Sequence, residues 1–287
     1  MSARHFRMLF VAAMASAFCH AAAENLVLAG GNELFVVDDA AKGAPAKLWR
    51  WSAEDVTEFS DAEKRTFNHL DECKPAADGS RLFVCASNGG CAIIGRPSGR
   101  VLWHARVTNA HSLEPLPRDR VVVASSLSGD RLVLFDTKGA EPLWETPLHS
   151  AHGVVWDDAR HCLWALGFDE LRRYTLKDWD TERPSLELQA AHKLPSEDGH
   201  DLRAVPKSAD LVVTTEKAVF LFDREKAAFR PHPLLGKNAR LKSVDIHPAT
   251  GRIVVSEWSN VVRLLTPDAR IDVKPSRPYK ARWLPQP

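Results

Sequence analysis

The chain has 287 residues, enough for one large domain or two ordinary ones with a sizeable buried core. Its 38 lysines and arginines nearly balance its 37 aspartates and glutamates, so no overall charge attracts nucleic acid or an anionic membrane surface. We therefore expect no nucleic-acid partner, and any charged ligand has to be recognised by a local group of side chains.

Residues 1–23 have the pattern of a cleavable secretory signal peptide. Arg4 and Arg7 precede an apolar run over residues 8–18, and Ala21 and Ala23 are small residues before an expected cleavage after Ala23. The apolar run is too short to span a membrane. The sequence predicts an exported protein, periplasmic or extracellular, without membrane insertion and with a mature domain over residues 24–287.

Short apolar segments follow one another along the mature chain, rich in β-branched and aromatic residues and bounded by turn residues. The first three are NLVLAGG, NELFVVDD and AKLWRW. Later segments with the same character include RLFVCAS, RVVVASS, HCLWALG and RIVVSEW. None has helical periodicity, so the sequence predicts an all-β fold.

These segments fall into a repeat whose units begin between 37 and 48 residues apart, which is the period of a β-propeller blade. The unit starts align on a residue six positions before a proline or aspartate. They are His69-LDECK-Pro75, His111-SLEPL-Pro117, His152-GVVWD-Asp158, His200-DLRAV-Pro206, Lys242-SVDIH-Pro248 and Tyr279-KARWL-Pro285.

The repeat resembles that of six-bladed, WD40-like β-propellers with four antiparallel strands per blade. The last unit ends after one strand, and the N-terminal segments match the other three strands of a blade. We therefore expect the C-terminal strand to complete the N-terminal blade and close the ring in a single domain. The long spacing before His200 indicates a surface loop over residues 177–199.

The unit starts are predicted to lie at one mouth of the central channel, because each innermost strand of a propeller begins on the same face. The residues of this predicted ring are His69, His111, His152, His200, Lys242 and Tyr279. Imidazoles and an ammonium buried together without partners would be unfavourable, so such a ring indicates a function, and a ring that only hydrogen-bonds to the neighbouring backbone is the alternative.

One interpretation of the ring is a metal site, since neutral imidazoles bind transition metals. The arrangement is similar to the oligogalacturonate lyase propellers, in which histidines from several blades hold a divalent metal that engages a uronate. The resemblance implies His69, His111, His152 and His200 as metal ligands. The blade count predicted here differs from that of the family.

A second interpretation is metal-free elimination at a uronate, in which His111 or His200 acts as the base and Tyr279 as acid or base. The residues able to neutralise the substrate carboxylate are Lys242, Arg203 and Arg282. Arg203 and Arg282 share a register with Glu72, Glu114 and Asp245 three residues past the unit starts. This register predicts either an ion network lining the channel or recognition of a ligand carboxylate.

A third interpretation is binding alone, of a small molecule or an oligosaccharide. The predicted rim residues between second and third strands are Asn88, Glu216, Glu257 and Trp258. Trp258 would offer an aromatic face to a sugar ring, and the other side chains would hydrogen-bond its hydroxyls. A noncatalytic module that holds a protein or peptide is the alternative.

Four cysteines remain in the mature chain, and export would permit disulfides between them. Cys85 and Cys91 flank a hairpin turn signal that places them opposite each other, while four buried free thiols are the alternative. The sequence contains no G-x-S-x-G, H-E-x-x-H, P-loop or dinucleotide-binding motif.

Overall fold

The structure is a computed structural model that describes residues 24–40 and 45–285. The predicted signal peptide lies outside the described residues. Within them the chain forms 24 β-strands in six four-stranded antiparallel sheets, together with one short α-helix and two 3-10 helices. No helix in these residues is long and apolar enough to cross a lipid bilayer.

Each sheet is one blade of a six-bladed β-propeller. In chain order the first strands are β1 (Asn25–Gly30), β2 (Glu33–Asp38), β3 (Trp49–Ser52), β4 (Leu70–Pro75), β5 (Arg81–Ala86), β6 (Gly90–Gly95), β7 (Val101–Arg106), β8 (Ala110–Leu116), β9 (Arg120–Ser125), β10 (Arg131–Asp136), β11 (Pro142–Pro147) and β12 (Gly153–Asp157). The remaining strands are β13 (Cys162–Leu166), β14 (Glu170–Lys177), β15 (Ser185–Lys193), β16 (Gly199–Ala204), β17 (Asp210–Thr215), β18 (Val219–Asp223), β19 (Ala228–Pro231), β20 (Ser243–Ile246), β21 (Ile253–Ser256), β22 (Val261–Leu265), β23 (Ala269–Asp272) and β24 (Lys280–Leu284). The α-helix is α1 (Asp61–Thr66), and the 3-10 helices are Ala53–Asp55 and Asp158–Arg160.

The last strand closes the ring, as the sequence predicts. β24 is the innermost strand of blade 1 and pairs antiparallel with β1, with Leu26 opposite Trp283. Blades 2 to 6 are β4–β7, β8–β11, β12–β15, β16–β19 and β20–β23, each with its first strand innermost. The predicted all-β, six-bladed architecture is confirmed.

The prediction of a surface loop over residues 177–199 is wrong in part, because this segment contains β15. β15 is the outermost strand of blade 4 and pairs along its length with β14. Leu186 is its one fully buried residue, since an outermost strand has solvent on most of its surface. Because its sequence is mostly polar, β15 lacks the apolar pattern from which the other strands are predicted.

Apolar side chains fill the space between neighbouring blades. In the described residues six separate groups of buried side chains are found, one at each junction between blades. At the junction of blades 1 and 2, for example, Val36 and Trp51 pack with Val84 and Phe67. Burial of this apolar surface on both faces of every blade is the main force that holds the ring together.

The four cysteines of the described residues are buried free thiols. Cys85 does lie opposite Cys91 in the β5–β6 pairing, as the turn signal predicts, but the two are not bonded. Burial raises the pKa of both thiols, so they are kept in the protonated, unreactive form.

Three innermost strands carry a β-bulge where they leave the mouth of the channel. The pairing skips Asp71 in β4, His111 in β8 and His200 in β16. An unpaired extra residue turns its side chain away from the regular alternation. As a result, Asp71, His111 and His200 and the residue after each of them are all buried at the channel.

Below the mouth the channel is filled by ionic side chains of opposite charge. The four cations are Lys74, Arg203, Lys280 and Arg282, and the four anions are Glu72, Glu114, Asp201 and Asp245. Arg282 is fully buried between two carboxylates, 2.7 Å from Asp201 Oδ1 and 3.0 Å from Glu72 Oε1. The sequence register predicted either an ion network lining the channel or recognition of a ligand carboxylate. The structure shows the ion network.

Carboxylates of this network also bind the backbone of the next blade. Glu114 accepts a hydrogen bond from the Trp156 N–H at 3.1 Å, Asp201 from the Val244 N–H at 3.0 Å, and Asp245 from the Trp283 N–H at 2.8 Å. The free edges of innermost strands would otherwise leave these donors unpaired at the axis. The network therefore links blades as well as balancing charge.

Removing one carboxylate should expose the dependence of the fold on this balance. Asp201→Asn leaves Lys280 and Arg282 short of negative charge in a buried site, so we expect a loss of about 3–5 kcal/mol in the free energy of unfolding. Urea denaturation measures it. Asp180→Asn, which removes an exposed partner of Arg118, is the control and should cost less than about 0.5 kcal/mol.

If Asp201→Asn alone does not fold, the double variant Asp201→Asn/Lys280→Met tests the same point, because it removes one charge of each sign. Recovery of folded protein is expected. Equal stability of Asp201→Asn and wild type would contradict the role of the network.

Candidate functional site

The mouth of the channel is surrounded by one side chain from each innermost strand or the residue just before it. These ring residues are Tyr279, Asp71, His111, His152, His200 and Lys242, from blades 1 to 6 in turn. The structure thus brings together five of the six residues predicted from the repeat.

His69 does not belong to the ring, and Asp71 takes its place. His69 is exposed and matches Asn109 in the strand register, because Leu70 pairs with Ala86 as Ala110 pairs with Ser125. Pro115 lies in β8 and Pro117 just after it, and the alignment of the sequence repeat uses Pro117 where Pro115 is the true equivalent of Pro75. The unit start in blade 2 is therefore two residues too early in the sequence interpretation.

The residue two positions before the ring has a left-handed backbone in five blades. These residues are His69, Asn109, Ser150, Asp198 and Arg240, with φ between 46° and 63°. Such a conformation is uncommon outside glycine and occurs mostly in tight turns. It turns the chain sharply into the innermost strand, and this common turn is why the ring side chains arrive at the same height.

Five of the six residues around the mouth, all except Asp71, contact one another in series. The ring centroids of His111 and His152 are 4.3 Å apart, those of His152 and His200 are 5.4 Å apart, and those of His111 and Tyr279 are 5.8 Å apart, all edge to face. Lys242 Nζ lies 2.7 Å from His200 Nε2. The far-separated imidazoles of the sequence are thus one packed cluster.

Hydrogen bonds to backbone carbonyls fix the tautomer of two imidazoles. His111 Nδ1 lies 3.1 Å from the Asn109 carbonyl oxygen, and His152 Nδ1 lies 3.0 Å from the Ser150 carbonyl oxygen. A carbonyl only accepts, so each Nδ1 carries the proton and each Nε2 has a free lone pair. Both imidazoles therefore present an acceptor at the mouth.

All three histidines of the cluster are neutral near pH 7. Burial lowers the pKa of His111 to about 4, and burial together with the Lys242 ammonium lowers that of His200 to about 4. Burial and the two neighbouring imidazoles lower the pKa of His152 well below its usual value. The positive charge at the mouth is thus carried by Lys242 rather than by imidazolium.

His200 and Lys242 form the polar side of the mouth together with two carboxylates. His200 Nε2 lies 3.4 Å from Glu216 Oε2 and 3.5 Å from Asp198 Oδ2, and Glu216 also binds Arg240 at 2.8 Å. Asp198 and Glu216 are partly exposed, so their oxygens can reach a ligand. This side offers donors and acceptors in one place.

In the described part of the chain, one group of side chains could bind a metal ion. It consists of Asp198, His200 and Glu216, whose ligand atoms lie within 4.8 Å of one another. Lys242 Nζ already lies against the imidazole nitrogen that a metal would need. An internal cation therefore balances the two carboxylates. The four histidines implied as ligands by the lyase resemblance are not brought together, because His69 lies outside the ring.

Trp258 forms the aromatic side of the mouth, as predicted. Its indole is half exposed and lies edge to face on the buried Tyr279 ring, with centroids 5.8 Å apart. Arg277 donates to the Trp258 carbonyl oxygen at 3.1 Å and places its guanidinium 5.7 Å from the indole. Burial raises the pKa of Tyr279 well above its usual value, so the phenol stays protonated.

The other predicted residues lie apart from this cluster. Arg282 and Arg203 belong to the channel network below the mouth, paired with Asp201 and Asp245 respectively. Asn88 is exposed and donates to the Arg65 carbonyl oxygen at 3.3 Å. Glu257 is exposed and bound to Arg263 at 2.7 Å.

The sequence interpretation does not include three residues that the structure places at the mouth: Asp71, Asp198 and Arg240. Asp198 and Arg240 stand two residues before a predicted ring position, so a search of neighbouring register positions would have found them. Asp71 required the correct choice between two prolines. Burial raises its pKa to about 7, and it accepts a hydrogen bond from Ser87.

The raised pKa of Asp71 predicts a pH-dependent effect on stability. The folded protein holds this proton up to about pH 7 and the unfolded chain only to about pH 4, so stability falls as pH rises through that window. Asp71→Asn mimics the protonated form and escapes this loss. We expect the variant to exceed wild type by up to about 4 kcal/mol at pH 8 and to approach it near pH 4.5.

Denaturation curves of both proteins across this range measure the difference. The three buried histidines shift stability in the opposite direction, since stability from their lowered pKa values is lost as pH falls from about 6.5 towards 4. They are present in both proteins and cancel in the comparison. A difference that does not change with pH would contradict the burial of an ionisable Asp71.

Comparison with known proteins identifies a family whose function is unknown. No curated protein matches the chain. The model of a family described as a family of unknown function (DUF6528) matches residues 15–284, which is nearly the whole chain. This β-propeller therefore belongs to that family.

Proposed function

We propose that the protein is an exported carbohydrate-binding propeller whose site is the mouth of the channel. The observation that carries the proposal is the half-exposed indole of Trp258, held in place by Tyr279 and Arg277 beside a cluster of polar side chains. Export rests on the signal-like pattern of residues 1–23.

The two sides of the mouth match the two kinds of surface on a sugar. Carbon-bound hydrogens of a pyranose pack well on an aromatic face, and Trp258 offers that face without needing to rearrange. Hydroxyl groups need both donors and acceptors. Lys242 and Arg240 provide donors, while Asp198 and Glu216 provide acceptors.

Binding without cleavage is favoured over elimination by the protonation states at the mouth. A base with a pKa of about 4, as for His111 and His200, is weak for abstracting a carbon-bound proton near neutral pH. The Tyr279 phenol is harder to ionise than usual, so it is also unsuited to act as a base. Arg282 is buried in the channel and cannot neutralise a uronate.

Calorimetric titration with neutral and uronic-acid oligosaccharides tests the proposal. Trp258→Ala should weaken binding of the best ligand at least tenfold, about 1.4 kcal/mol, because it removes the stacking surface. Leu48→Ala is the control, since Leu48 is equally exposed but lies next to the outer strand of blade 1, and it should leave affinity unchanged.

Lys242→Met then separates acidic from neutral sugars, because loss of the ammonium should weaken binding of a uronate more than that of a neutral sugar. If no oligosaccharide of either class binds, the proposal is wrong. Release of an ultraviolet-absorbing unsaturated product from oligogalacturonate, lost in His111→Ala and His200→Ala, would instead establish the lyase.

A further inference from the structure

A cleft of about 630 Å³ lies on the rim of the propeller between the outer strands of blades 1 and 2. Its walls come from β3, from the connection that follows β3, and from β7 with the turn before it. None of the ring side chains lines it. The volume is within the range typical of small-molecule sites.

One wall of the cleft is formed by a connection that is longer than the propeller fold requires. Residues 53–69 connect blade 1 to blade 2 and contain a 3-10 helix and α1, whereas residues 107–109 suffice to connect blade 2 to blade 3. α1 begins with a capping box between Ser60 and Glu63, so the connection is an ordered element. Residues 55–59 of this connection line the cleft.

Aromatic side chains give the cleft a firm apolar wall. Phe59 is buried and stacks on Phe67 with centroids 5.4 Å apart, and Trp51 packs edge to face on Phe67 at 5.6 Å. His104 lies 4.9 Å from Phe59 on the other side. Packed rings of this kind bind a flat apolar group with little loss of side-chain freedom.

The Trp51 indole N–H is a buried donor without a hydrogen-bond partner in the described residues. Trp49 and Trp103 nearby donate instead to the carbonyl oxygens of Pro97 at 2.9 Å and Gly139 at 2.6 Å. Trp51 Cδ1, beside the N–H, faces the lining residue Gly99. Since an unpaired buried donor is unfavourable, an acceptor on a ligand would gain a hydrogen bond here.

Arg100 supplies an unused positive charge to the same cleft. Its side chain is exposed and donates no hydrogen bond to any described residue, while Arg50 on the facing wall is held by Glu33 and Asp55. A guanidinium is suited to bind a carboxylate through two parallel hydrogen bonds. The unpartnered donors of the cleft thus include the Trp51 indole N–H and the Arg100 guanidinium.

We propose that this cleft binds a small aromatic carboxylate. The aromatic ring packs against Phe59 and Trp51, the carboxylate pairs with Arg100, and an oxygen of the ligand accepts from the Trp51 N–H. The site is separate from the channel mouth and does not depend on the carbohydrate proposal.

Titration of the protein with indole-3-acetate, by calorimetry and by saturation-transfer NMR, tests this site. We expect saturable binding of one molecule per chain. Arg100→Gln should weaken it at least tenfold, and Trp51→Phe, which keeps a ring but removes the N–H, should weaken it about fivefold. Arg106→Gln, which changes an exposed arginine at the far end of β7 outside the cleft, is the matched control and should stay within twofold.

Indole-3-acetamide serves as the uncharged probe and should bind at least tenfold more weakly than the acid. Absence of saturable binding, equal affinity for acid and amide, or equal effects of the Arg100 and Arg106 changes would each overturn the proposal. Arg100 is exposed, so Arg100→Gln decides the matter even if Trp51→Phe is less stable. Trp258→Ala should not alter indole-3-acetate binding, which keeps this test apart from that of the mouth.

Discussion

The position of Arg282 between Glu72 and Asp201 is the interaction on which the rest of the structure depends. Six innermost strands meet at the axis, and each presents an unpaired backbone edge and inward side chains in a space that admits little water. Charges in such a space are tolerated only when they are paired and hydrogen-bonded. Four cations against four anions meet this condition, and the carboxylates also bind the backbone of neighbouring blades.

The mouth is a consequence of how this network is arranged. Bulges in β4, β8 and β16 bring two successive side chains to the channel, so that one joins the ring above and the other, which is Glu72, Ser112 or Asp201, joins the polar network below. Asp201 and His200 illustrate the division, since Asp201 holds Arg282 and Lys280 while His200 contacts His152 and Lys242. The low pKa values of His111 and His200 follow first from burial, to which the ammonium groups of Lys242 and Lys280 add.

The repeat in the sequence was sufficient to predict the blades, their number and the closure by β24, because strand periodicity and turn residues are local signals. It also predicted five of the six ring residues. His69 was assigned to the ring because Pro115 and Pro117 are equally good alignment points in sequence, and only strand pairing distinguishes them. The β-bulges have no residue signature in this chain, so neither the two channel layers nor the role of Asp71 was visible. β15 was missed because an outermost strand is polar.

Ring closure by β24 also makes the mouth depend on the last strand of the described residues. Tyr279, Lys280 and Arg282 stand close together near the end of the described chain, and they complete the ring, the charge balance and the first blade at once. Without β24, blade 1 has three strands, β1 has no partner on its inner side, and Glu72 and Asp201 lose Arg282 as their counter-ion. The mouth is therefore complete only when β24 docks against β1, so that pairing between the two terminal segments of the described chain sets the geometry of the candidate site.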